Sequence, residues 1–158
     1  MKQVLTLLLV GCLIFSLSGC SSSDKPEYFD GHKDALNIVK DFAVEYYGDH
    51  ENDSEDDRLT LSFFEEGTLY WSSEEYEFIE TSDEMRQAVE KLEEIGFWYL
   101  WVSEDYVIFW RDETHRYGLL WSEHPRRIIK QMKADWYHPM DYNKVSLNWY
   151  EIGQLYNI

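Results

Sequence analysis

The residues best able to do chemistry crowd into positions 49–57, where Asp49, Glu51, Asp53, Glu55, Asp56 and Asp57 surround His50, Asn52 and Ser54. Alternating carboxylates suit a hard cation such as calcium, which takes about six to eight oxygen ligands. An EF-hand loop also needs a glycine at its sixth position and a bidentate glutamate at its twelfth. Counted from Asp49, those positions are Ser54 and Thr60, so the run reads as a solvated acidic loop. His50-Glu51 opens like a zinc-protease helix, but Ser54 stands where the second histidine ligand is required. His32, His50, His115, His124 and His138 include no pair at metal-ligand spacing, so neither a metal nor any other cofactor is expected.

Other catalytic signatures are missing too. The eight glycines form no nucleophile elbow, phosphate loop or dinucleotide fingerprint. Glycoside hydrolysis needs only two carboxylates about 5 to 9 Å apart across a cleft, and among 31 acidic residues no pair stands out. A binding protein without chemistry of its own is the first reading, and a cell-envelope hydrolase using paired carboxylates is the second. Arg126, Arg127, Lys130 and Lys133 form the one positive cluster in the sequence. It neutralises neighbouring acids or, more sharply, docks an anionic ligand or lipid headgroup.

The elements that must position these residues follow from periodicity. Positions 33–47 carry Leu36, Val39, Ala43 and Tyr46/Tyr47 at helical spacing, with Gly48 as a stop. Leu59, Leu61 and Phe63 alternate with polar residues, and Glu66-Gly67 turns the chain into Thr68 to Trp71, which predicts a β-hairpin. Thr81 and Glu84 have capping-box spacing ahead of a helix with Met85, Ala88, Val89, Leu92 and Ile95 on one face and Gly96 at its end. Three strands at 97–102, 106–111 and 116–121 make a meander. A helical turn or loop at 126–133, an irregular stretch at 135–143 and a last strand at 145–150 complete the chain. The expected fold is α+β: an antiparallel sheet (hairpin, three-stranded meander and C-terminal strand) packed on two amphipathic helices. The element order is broadly similar to that of small cystatin-like or ferredoxin-like sandwiches, a likeness that carries no function.

Residues 1–19 have the three parts of a secretory signal: Lys2, an apolar run over positions 4–15, and small residues before the cut. The run is too short and too interrupted to span a bilayer, which takes about 20 apolar residues. Leu17-Ser18-Gly19-Cys20 resembles the lipobox of bacterial prolipoproteins. The resemblance covers this signal alone and implies that Cys20 receives a diacylglyceryl thioether and becomes the mature N-terminus. Residues 20–27 then act as a tether and 28–158 as a single globular domain on the outer side of a cell membrane or envelope. Cys12 leaves with the leader and Cys20 is the lipid site, so no disulfide is expected. The mature chain keeps 31 acidic residues against 13 basic ones, a formal charge of −18. Nucleic acid is thereby a poor partner, because phosphate binding needs clustered Lys and Arg. The charge is consistent with a soluble monomer, favours a basic protein partner, and suits an inhibitor or immunity protein against a basic secreted enzyme.

Twelve Tyr and seven Trp are many for so short a chain, and both types favour places where one end is buried and the other wet. If loops fall at Glu104-Asp105 and at 112–115, Tyr99 faces Trp110, Trp101 faces Ile108, Trp110 faces Tyr117 and Tyr106 faces Trp121. Tyr99, Trp101, Tyr106, Trp110, Tyr117 and Trp121 then share one side with Phe97, Ile108 and Leu119, while Trp98, Leu100, Val102, Val107, Phe109, Gly118 and Leu120 take the other. The aromatic six form a candidate platform for a glycan, a peptide or a partner protein. The competing expectation is that residues 136–150, or the curvature of the sheet, close over them.

Overall fold

Helix α1 runs over Glu27–His50, well past the expected 33–47. Glu27 and Asp30 lie in its first turn, where acids favour the positive end of the helix dipole. Gly48 does not stop it. Its backbone has ordinary negative φ, and an added Cβ there would meet nothing within 4 Å. The computed structural model describes residues 26–50, 58–72, 76–111, 117–135 and 140–154. The leader, Cys20, the acidic run from 51 to 57, His115 and His138 lie outside them.

The remaining described elements are β1 (Leu59–Phe64), a single 3-10 turn (Glu65–Gly67), β2 (Thr68–Ser72), β3 (Tyr76–Ile79), α2 (Asp83–Glu94), β4 (Tyr99–Ser103), β5 (Tyr106–Trp110), β6 (Tyr117–Trp121), α3 (Pro125–Asp135), β7 (Met140–Lys144) and β8 (Trp149–Gln154). All eight strands join one antiparallel sheet in the order β3-β2-β1-β4-β5-β6-β8-β7. The fold is α+β. No described helix is long and apolar enough to cross a membrane.

Alternation along the strands divides the core in two. On one face Leu59, Leu61, Phe63, Leu69, Ile79, Leu100, Val102, Val107, Phe109 and Leu119 pack with Leu36, Val39 and Ala43 of α1 and Met85, Ala88, Val89 and Leu92 of α2. On the other face Ile108, Trp110, Leu120 and Ile152 pack with Ile128 and Met132 of α3. Two helices therefore cover one face, and a third covers part of the other.

Several expectations are corrected. The N-cap of α2 is Ser82, not Thr81: its Oγ accepts the Met85 N–H at 3.2 Å. Gly96 ends that helix as read, with φ +87. β3 was not foreseen. The basic cluster at 126–133 is a full amphipathic helix, β7 falls in the supposedly irregular stretch, and the last strand begins at Trp149 rather than 145.

The most consequential correction is register. β4 and β5 pair as expected, with Tyr99 opposite Trp110 and Trp101 opposite Ile108. β5 and β6 pair one residue away, with Trp110 opposite Gly118 and Val107 opposite Trp121. A one-residue slip exchanges the faces of an entire strand. The cause is space: at Gly118 a Cβ would lie 2.7 Å from the Phe109 carbonyl oxygen and 2.9 Å from the Trp110 ring. The buried indole needs a glycine beside it, and Tyr117 could not stand there.

Candidate functional site: an aromatic half-face

Following the register across the sheet, one row on the α3 side reads Phe78, Tyr70, Ser62, Tyr99, Trp110, Gly118, Ile152, Tyr142 from β3 to β7. Its neighbour reads Thr60, Trp101, Ile108, Leu120, Tyr150, Lys144 from β1 to β7. Helix α3 seals the middle of these rows through Ile128 and Met132. It is held there at its start, where Ser122 Oγ donates to the Asp105 carbonyl at 2.7 Å and accepts the His124 N–H at 2.9 Å. Arg127 adds an ion pair to Asp105 in the β4–β5 turn.

The six platform candidates separate on this geometry. Trp110 is fully buried beneath α3 and belongs to the core. Tyr117 and Trp121 lie on the opposite face, because of the register slip. Tyr117 is 55% exposed at the start of β6, and Trp121 packs toward α1 with the Lys40 ammonium 4.5 Å from its ring centroid. Phe97 and Leu119, expected beside the aromatics, also join the α1 core.

Tyr99, Trp101 and Tyr106 stay half-buried on the α3 side. Trp101 is engaged on two sides: the Arg58 guanidinium lies 4.1 Å from its ring centroid, and the Trp110 ring meets it edge-on at 5.1 Å. A ligand stacking on Trp101 must displace Arg58. Burial pushes the Tyr106 hydroxyl above its ordinary pKa; the Arg58 charge opposes that shift and Tyr47 adds to it.

The open part of the same face carries residues that the sequence reading did not single out. Phe64 is 43% exposed and Phe78 57%, with half-buried Tyr70 between them. Their rings meet edge-to-face, Phe64 to Tyr70 at 4.7 Å and Tyr70 to Phe78 at 5.7 Å. Edge-to-face pairs are favourable aromatic geometry, so the three form one apolar ridge ending on β3. The alternation Glu77-Phe78-Ile79, with Ile79 facing the helices beside Leu69, was the available signal.

His32 and His50 serve α1 itself. The Nδ1 of His32 lies 2.7 Å from the Tyr28 carbonyl and that of His50 2.8 Å from the Tyr46 carbonyl, so each donates to its acceptor one turn back. Among the described residues no group of three or more His, Cys, Asp or Glu converges on a point where a metal could sit. Burial is the largest influence pushing the Tyr28 hydroxyl up to about 12; Glu151 raises it further and Arg111 opposes. Burial also pushes Tyr142 up to about 12, and its hydroxyl has no hydrogen-bond partner among the described residues.

Both tyrosines have a folded pKa above the unfolded value of 10.0. Their contribution is therefore fully present below about pH 10 and is lost as pH rises toward about 12. Tyr142→Phe should flatten that alkaline loss and raise the denaturation midpoint at neutral pH, since it removes a buried unpaired hydroxyl. Urea titrations at pH 7 and pH 11 check both effects.

Comparison of the chain with protein-family models, with curated proteins and with solved structures finds no match.

Proposed function

We propose that this chain is a lipid-anchored extracytoplasmic interaction module that holds a partner on the open aromatic half-face of its sheet. The observation that carries the reading is the ridge of Phe64, Tyr70 and Phe78 on the face that α3 leaves uncovered. Exposed aromatics grouped beside a sealed core are what interface hot spots are made of. The formal charge of −17 favours a basic protein or peptide over a nucleic acid or an anionic surface. An inhibitor or immunity role against a basic secreted protein is a specific form of the same reading.

The mature domain, fixed to a support and exposed to envelope extract, should retain its partner, and Tyr70→Ala with Phe78→Ala should weaken retention by about 30-fold or more. The same pair should leave the domain folded, with an unchanged denaturant slope. Equal retention by the double variant would refute the site.

The anchoring part rests on Leu17 to Cys20. Cys20→Ala should move the protein from the membrane fraction to the soluble or uncleaved fraction, because acyl chains contribute about 0.8 kcal/mol per buried CH2. A variant still processed and membrane-bound would contradict it.

A further inference from the structure

The two edges of the sheet are built differently. β7 carries exposed Asp141, Asn143 and Lys144, the charged and polar residues that blunt an edge against pairing. β3, the opposite edge, has neither lysine nor proline, and presents Phe78 with Glu77 as its one exposed charge. Phe78 is also the outer end of the aromatic ridge, directly opposite Tyr70 on β2. An edge without lysine or proline, continuous with an exposed aromatic row, is a template for another strand.

Building on the binding role given above to this face, we infer that the partner supplies an extended cationic segment that adds to β3 as a ninth strand. Side chains of a paired segment alternate between faces. On the open face they meet Phe78 and extend the ridge, where apolar groups or a stacked Arg fit. On the helix side the segment meets Glu77, opposite Trp71. A Lys or Arg there makes a favourable cross-strand pair.

Charge decides against a second copy of this chain. A symmetric β3 to β3 pairing would bring Glu77 toward its own counterpart between two domains of charge −17, and like charges opposite one another destabilise a ladder.

The test uses the mature domain and the octapeptide Lys-Val-Lys-Tyr-Lys-Val-Lys-Tyr, with two controls: Glu in place of each Lys, and backbone N-methylation that prevents strand pairing. The parent peptide should bind and slow amide exchange by about tenfold or more at the alternate β3 residues whose N–H groups point away from β2. The Glu and N-methylated copies should each bind at least about tenfold more weakly, and Glu77→Lys should weaken the parent and strengthen the Glu copy.

If the N-methylated copy binds as well as the parent and Tyr70→Ala with Phe78→Ala abolishes both, strand addition is wrong while the aromatic site stands. If Glu77→Lys weakens the parent but Tyr70→Ala with Phe78→Ala does not, the strand docks at β3 and the aromatic site is wrong. No binding by the parent, or a domain already dimeric through β3, overturns the inference.

Discussion

Trp110→Ala should cost about 3 to 5 kcal/mol of folding stability, while Phe78→Ala on the same sheet row should cost less than about 1. The two aromatics differ in cover, not in type. Trp110 is fully buried, wedged over Gly118 and packed among Ile108, Leu120, Ile128 and Met132. Its removal leaves a cavity that α3 cannot collapse into, since Ser122 and Arg127 tie the helix start to the β4–β5 turn. Phe78 is 57% exposed, and its ring contact among the described residues is the edge-on one with Tyr70. Denaturant midpoints, with unchanged slopes, measure the difference. Equal losses for the two variants would show that the open half-face is as much core as the sealed half.

Gly67→Ala should be nearly as damaging, from one added methyl. Gly67 is buried with φ +68 in the turn between β1 and β2, and Glu66 before it also has positive φ, 66. A side chain in that backbone region costs roughly 1 kcal/mol or more. The added Cβ would overlap the Arg86 carbonyl oxygen of α2 and stand 2.9 Å from the Glu90 Cγ. The obstacle is helix backbone, so α2 itself must shift, and overpacking of this kind adds about 1 to 3 kcal/mol. A loss of about 2 to 4 kcal/mol in the unfolding free energy is the expected result. Gly48→Ala, on open helix surface, should be neutral or slightly stabilising.

Elements with a strong period were legible in the sequence: Met85, Ala88, Val89 and Leu92 gave α2 its buried stripe, and Leu59, Leu61 and Phe63 gave β1 its inward face. The β1–β2 turn at Glu66-Gly67 and the β4–β5 register were legible for the same local reasons.

Register between β5 and β6 was not. Both strands are apolar on both faces, so alternation could not choose between pairings one residue apart, and the loop length was free. The deciding contact, Gly118 beneath Trp110, joins residues that only the folded sheet brings together. α3 was hard to see because Arg126, Arg127, Lys130 and Lys133 on its solvent side dominate the stretch, while only Ile128, Ile129 and Met132 mark its packed one. Without α3 the aromatic face could not be divided, so the candidate site was placed on the strands it seals rather than on β1, β2 and β3.

The most direct test of the open half-face places a photoreactive benzophenone amino acid at one position at a time in the full chain within its own cells. Position 78 on the ridge is compared with 147, whose leucine is 79% exposed in the segment between β7 and β8. The expected result is a discrete adduct from position 78, and from 70 and 64 with it, and none from 147. An adduct from position 147 with none from 78, 70 or 64 would contradict the assignment of this face as the binding surface.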